Sequence, residues 1–323
     1  MNILVVRNDK LGDFITALPT MYVLKKYNFN NKIIALVAPM NKVLAESMPF
    51  IDKVIVDKTD SAFILAKELK KENIDASITL FSNTKVALAQ FLAGIKIRIA
   101  PATKIAQIFY NKRIKQRRSQ VKMSEYEYNL QLAKVLFHDI DLKFISPLLN
   151  IKDDIKKKCL YDFSHKYSIP KDLKIVALHP GFGGSSDANW TITEYISLAK
   201  ILNKNKKHQI VFTFGPGEDD LFEIVKKADI KGVVLHKSEG TLVDFAILIS
   251  TFKLFISTST GTYHLAALVG TPTMTFFADT LFASSKRWKS ISNENLQKNR
   301  MIPIKKNNRD EFFKQIKKEI ASL

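Results

Sequence analysis

Along the first hundred residues, short apolar runs alternate with amphipathic stretches. "ILVVR" is followed by a loop and a helical pattern from Phe14 to about Tyr27. "KIIALVA" and "KVIVD" read as strands, "SAFILAKELKKE" as a helix, and "ASITL" and "IKIRIA" as strands joined by the helical "TKVALAQFLAG". Strands that are apolar at every position, not at alternate ones, are buried on both faces, and helical crossovers between them predict a parallel sheet.

The pattern breaks at Tyr110. From there to Lys122 the chain reads "YNKRIKQRRSQVK", with six basic residues and no acidic one. A helical stretch, "YEYNLQLAKVLF", and a polar connector, "LNIKDDIKKKC", follow. The alternation then restarts with "KIVALHP", "TITEYISLAKIL", "HQIVFTFGP", "DDLFEIVKKA", "GVVLH", "LVDFAILIS", "LFIST", "YHLAALVG" and "TPTMTFF". Two α/β domains are therefore predicted, residues 1–160 and 161–323. Ligands of such sheets collect beyond the carboxyl ends of the strands, so a cleft between the domains is the expected site. The closing "DEFFKQIKKEIASL" is an amphipathic helix that must dock, with the N-terminal domain as one possible surface.

Composition adds a few constraints. A chain of 323 residues is long enough for two domains. The single cysteine, Cys159, has no internal disulfide partner and fits a reducing compartment. The opening "MNILVVRNDKLGD" is unlike a secretory leader, and the most apolar window, "FAILISTFKLFI", carries Lys253, against a spanning helix. Fifty Lys and Arg against thirty-one Asp and Glu give +19, which predicts affinity for polyanions.

Four strand-end loops carry candidate chemistry. In "RNDKLGDFITALP", Asp13 reads either as the N-cap of a helix from Phe14 or as a carboxylate placed for general-base work. This loop has no GxGxxG, against dinucleotide redox. "HPGFGGSSDANW" offers glycine N–H groups with Ser185 and Ser186 as an anion nest, and no GK[ST] follows, against a P-loop nucleotidase. "FGPGEDD" reads as a turn whose acids Glu218, Asp219 and Asp220 suit a helix N-terminus. In "STSTGTYHLAALVG", Ser259, Thr260 and the N–H groups at Gly261 can cradle a diphosphate, and His264, one turn on, is either a further phosphate contact or a core histidine. His138, His165, His179 and His236 have no metal-ligand spacing; only His179 opens a candidate loop.

Together these segments resemble the heptosyltransferase family, glycosyltransferase family 9. The match runs over "ILVVRNDKLGDFITALP", "HPGFGGSSDANW", "EGTLVDFAILIS" and "FISTSTGTYHLAALVGTPTMTFF", nearly the whole chain. The resemblance implies an α/β fold of two facing Rossmann-like domains, GT-B, with an acceptor-binding N-terminal and a nucleotide-sugar-binding C-terminal domain. It implies an inverting transferase moving heptose from ADP-heptose to a lipopolysaccharide core. Asp13 falls on the catalytic base, and Thr260, Gly261 and His264 on the donor diphosphate site. Ser185, Ser186 and Ser259 lie in donor loops, and Glu239 or Asp244 is placed to hold the ribose. Lys112, Arg113, Lys115, Arg117 and Arg118 would guide a phosphorylated, lipid-linked saccharide acceptor. The implied setting is cytoplasmic, peripherally bound to the anionic inner face of the inner membrane, with no cofactor, metal or nucleic-acid partner expected.

Two departures stand out. Ser259 replaces the family's usual aspartate, and Ala188 replaces its phosphate-loop lysine, a charge-assisted contact worth about 1.5–3 kcal/mol. A transferase using another nucleotide sugar is the nearest alternative. A nucleic-acid-binding protein, on charge alone, and an inactive scaffold stand further off.

Overall fold

The computed structural model describes residues 1–103, 105–181, 189–204 and 206–323. The chain divides into two compact units, Met1–Leu148 and Leu149–Leu323. The division falls twelve residues before the expected boundary, because the "polar connector" is a helix that belongs to the second unit.

In the first unit β1 (Asn2–Arg7) leads into α1 (Leu11–Tyr27), then β2 (Lys32–Val37), α2 (Lys42–Glu46), β3 (Lys53–Val56) and α3 (Ala62–Lys70). β4 (Ala76–Thr79), α4 (Thr84–Leu92), β5 (Ile97–Pro101), β6 (Lys112–Ile114) and α5 (Glu125–Leu136) complete it. The strands form one parallel sheet in the order β3-β2-β1-β4-β5-β6. Leu4, Val6, Ile34 and Leu36 pack one face against Leu65, Leu69 and Val86 of α3 and α4. α1 has buried residues around most of its circumference, as a helix enclosed by its neighbours must. It packs on α5, where Asn129 Nδ2 donates to Thr16 O at 3.2 Å. Local signals start the other helices. Asn83 Oδ1 accepts from Val86 N to cap α4, and Ser124 with Glu127 forms a capping box on α5.

The second unit opens with α6 (Asp153–Lys166), then β7 (Lys174–His179), α7 (Ile192–Lys204), β8 (His208–Phe214), α8 (Asp219–Lys227) and β9 (Val234–Lys237). It continues through α9 (Leu242–Ile249), β10 (Leu254–Thr258), α10 (Gly261–Leu268), β11 (Thr273–Ala278), α11 (Ser285–Trp288), β12 (Gln297–Ile302) and α12 (Lys306–Ala321). Its parallel sheet has the order β12-β11-β10-β7-β8-β9. The docking surface of α12 lies within this unit. Ile316 and Ile320 join a core with Leu198, Phe212, Ile256 and Phe276, with Phe312 and Phe313 packed against it. Among the described residues no helix is long and apolar enough to cross a membrane.

Candidate functional site

Each sheet reverses its strand order once, between β1 and β4 in the first unit and between β7 and β10 in the second. Such a switch point leaves the loops beyond two adjacent strand ends without a crossover covering them, which is where open α/β sheets bind ligands. Three of the four loops singled out in the sequence follow β1, β7 and β10, the strands that border these points.

In the first unit the segment after β1 carries Asp13. The helix starts at Leu11, with Lys10 at the N-cap and no side-chain cap, so Asp13 lies inside the first turn and is not the N-cap expected. Its position follows from Arg7, the buried last residue of β1. The guanidinium Nε bonds Asp9 Oδ1 at 2.8 Å, one terminal nitrogen bonds Asp13 Oδ1, and the other has no partner among the described residues. Burial pushes the Asp13 carboxyl up to about 6; Arg7 pulls against it, and Asp9 and Glu125 add to it. A carboxyl tuned in this way can accept a proton near neutral pH.

In the second unit β10 delivers Ser257 and Thr258 to the switch point, with Ser257 beside His179 of β7 in the sheet register. α10 begins at once, with Thr260 as N-cap in extended conformation. The first N–H groups of a helix have no partner within it, so Gly261 and its neighbours present donors and the positive end of the helix dipole. Thr260 Oγ1 lies 2.8 Å from Thr262 Oγ1, two hydroxyls side by side at this terminus. His264 is buried against Tyr263 and Trp288. Burial pushes its pKa down to about 4, so the ring is neutral at pH 7, and its Nδ1 has no partner among the described residues.

The loop after β7 contains Ser185, Ser186 and Ala188, which lie outside the described residues. Both flanks of that loop are held. Trp190 stacks on Phe276 with ring centroids 3.8 Å apart and meets Phe313 of α12 edge-on at 5.1 Å. Arg309 of α12 donates to Asn189 O at 2.7 Å and pairs with Glu194 at 3.2 Å. On the upstream flank, His179 Nδ1 lies 3.0 Å from Thr213 O, and burial lowers its pKa.

Glu218 is the residue that sequence reasoning missed. Placed in the sequence only as a helix-start acid, it turns back over the strand ends, accepts from Gly215 N at 2.7 Å and reaches 3.8 Å from His179 Nε2. A Cβ on Gly181 would lie 1.7 Å from Glu218 Oε1, so this glycine is what lets the carboxylate approach the chain just beyond β7. The paired glycine turns "GFGG" and "GPGE" after two adjacent strands are the signal from which the close approach could be read. The two expected ribose ligands fare differently. Asp244 Oδ2 closes a capping box with Thr241 N and Oγ1 at 2.8 and 2.7 Å, an arrangement that needs Gly240, whose added Cβ would come within 2.9 Å of the carboxylate. Glu239 is exposed. Both stand in the wall of a cavity of about 460 Å³ between α6 and α9.

The basic stretch divides as well. Lys112 and Arg113 lie on β6, the sheet edge, and with Lys115 and Arg117 are exposed. Arg118 is turned inward instead: it bonds Glu125 at 2.8 Å and Asn129 at 3.2 Å, and lies over the Tyr128 ring. A buried glutamate, Glu125, requires that cation. Among the described residues no group of three or more His, Cys, Asp or Glu is placed to hold a metal ion.

Two parallel α/β sheets, each with a reversal and hydroxyl- or carboxylate-bearing loops beyond it, define a protein of the two-unit Rossmann-like class. The chain belongs to glycosyltransferase family 9 (heptosyltransferase), whose family model matches residues 62–314. A Haemophilus influenzae protein assigned as a glycosyltransferase is 36% identical over 301 residues, covering 90% of this chain and 86% of that protein. Lipooligosaccharide heptosyltransferase 2 of Campylobacter jejuni is 26% identical over 291 residues, covering 87% of this chain and 82% of that protein. In fold, E. coli ADP-heptose lps heptosyltransferase II superposes with a TM-score of 0.80 at 18% identity, covering 100% of this chain and 98% of that one. The fold is that of the GT-B transferases, as the motifs implied.

Proposed function

We propose that this glycosyltransferase moves a heptose from ADP-heptose to a phosphorylated, lipid-linked core saccharide, with inversion at the anomeric carbon. The observation that carries the reading is the N-terminus of α10 at the second unit's switch point, with Thr260, Gly261 and a neutral, buried His264. In a single displacement the acceptor hydroxyl loses its proton to a base as its oxygen bonds the anomeric carbon. The bond from that carbon to the diphosphate breaks, and negative charge grows on the departing phosphate oxygen. Asp13 takes the proton. The α10 N–H groups, the Thr260 hydroxyl and an N–H of His264 stabilise the leaving diphosphate, with Ser185, Ser186 and Ser259 as further donors. Glu239 or Asp244 is the carboxylate for the ribose hydroxyls, with Glu218 a further candidate; Asp244 Oδ2 also closes the α9 capping box, as Glu218 Oε2 also accepts from Gly215 N. Lys112, Arg113, Lys115 and Arg117 draw in the anionic acceptor at the cytoplasmic face of an anionic membrane. The helix terminus supplies the positive field, so transfer persists in excess chelator; complete loss restored by one divalent metal would refute this.

Calorimetric titration with ADP, UDP, GDP and CMP, repeated on Thr260→Ala and His264→Ala, tests the donor. Preference for ADP, lost in both variants, supports the reading. Preference for another nucleotide redirects the donor to the second reading, a transferase of another nucleotide sugar, which the departures at Ser259 and Ala188 favour. Absence of nucleotide binding overturns both.

A further inference from the structure

The segment between Asp75 and Glu125 contains 49 residues without a single acid and with ten Lys or Arg. Within it the chain forms a short 3-10 helix, Ile105–Phe109. Side chains three apart eclipse in such a helix, so Ile105 and Ile108 share one face, and they are 80% and 67% exposed. The opposite residue, Ala106, is buried with Ala87 and Tyr110. The apolar surface continues onto α4. Phe109 meets Phe91 at 5.9 Å, and Phe91 and Leu92 are 51% and 40% exposed. Cations border it. Arg98 lies over the Phe91 ring and donates to Phe109 O at 2.7 Å, Asn111 Nδ2 donates to the backbone carbonyl of the exposed Lys96 at 2.7 Å, and the exposed Lys112 and Arg113 follow on β6.

We propose that this face of the first unit, Phe91, Leu92, Ile105 and Ile108 bordered by Lys96, Lys112 and Arg113, docks on an anionic lipid bilayer. It deepens the reading above that the enzyme works at such a membrane, and names the surface that does so. Four protruding apolar side chains inside a cationic border match the two layers of a membrane interface, acyl chain below and anionic headgroup above. Other occupants fit less well. A second copy in a two-fold contact would set the same cations against one another. Protein interfaces deplete lysine at their centres. Nucleic acid would use the charge and stack bases on aromatic rings, leaving the two isoleucines without a role.

The test is co-sedimentation of the full chain with phosphatidylcholine vesicles, with and without phosphatidylglycerol. Two variants are compared, Ile105→Ser/Ile108→Ser and Lys112→Glu/Arg113→Glu. Wild type should bind the anionic vesicles and lose binding as salt rises. Each cation near such a surface contributes roughly five-fold, so the charge variant should bind at least about ten-fold more weakly. The serine variant should weaken comparably while retaining ADP binding and transfer to a delipidated, water-soluble acceptor. Equal binding to both vesicle types, or wild-type binding by both variants, would overturn the proposal. So would a dimer in sedimentation velocity that the serine variant disperses, which would make this face a contact between copies. If ADP binding and transfer persist while vesicle binding fails, only the docking surface falls; if they fail in wild type, the donor reading falls and the vesicle result stands alone.

Discussion

With Asp13 as the base, transfer rises as pH rises through about 6, because burial, Asp9 and Glu125 keep the proton on the carboxyl below that point. The acid limb of a kcat/KM profile checks this. Arg7→Met removes the cation that opposes those effects, so the limb should move to higher pH, whereas Arg7→Lys should move it less. Asp13→Asn should lower kcat by about 10²–10⁴-fold with ADP affinity kept. His264 behaves oppositely, its proton affinity falling to about 4, so it stays neutral from pH 5 to 8. The ratio of ADP affinities between wild type and His264→Ala should therefore be constant over that range, at roughly 10–100-fold for one hydrogen bond to a charged group. A ratio that changes with pH would mean that the ring titrates in the complex.

Elements differ in how far their signals reach the sequence. The strands were legible because runs such as Ile33–Val37 are buried at every position, and burial on both faces leaves no polar alternation to misread. Helix α6 read as a connector because it buries only Phe163 and spreads charge over the rest. Strand β6, three residues at a sheet edge, carries Lys and Arg where a central strand would carry Val or Ile. The start of α1 was misplaced by three residues because its N-cap is Lys10, without a capping side chain. Of the candidate site, the loops after β7 and β10 were legible from glycine and hydroxyl content and the segment after β1 from Asp13, but Glu218 turns back over the strand ends in a way that no periodicity records. Trp190 is the element-scale anchor, clamping the downstream flank of the phosphate loop between Phe276 and Phe313. Trp190→Ala should cost about 3–5 kcal/mol in urea unfolding. Arg309→Ala leaves the core intact and removes a partly exposed pair, so stability should move by less than about 1 kcal/mol. ADP affinity should nevertheless fall, since Asn189 O loses the hydrogen bond from Arg309.

At the scale of the molecule, the chain divides into Met1–Leu148 and Leu149–Leu323. The proposed donor contacts all lie in Leu149–Leu323. ADP at one hundred times its Kd adds about 2.7 kcal/mol to the state that binds it, or about 5–10 °C in Tm for a unit of this size. Calorimetric scans should show that shift in the transition of the second unit and little in that of the first. An equal shift in both would mean that the units unfold as one.

The tie between Arg309 and Asn189 also bears on how the molecule is made. The two residues are 120 positions apart. At the usual pace of synthesis the ribosome releases the phosphate loop on the order of 6–24 s before the arginine that secures it. The nascent second unit can pair β7 with β8 in that interval, but Asn189 O still lacks its hydrogen bond from Arg309. The second unit is therefore complete only once α12 has emerged and packed against α7.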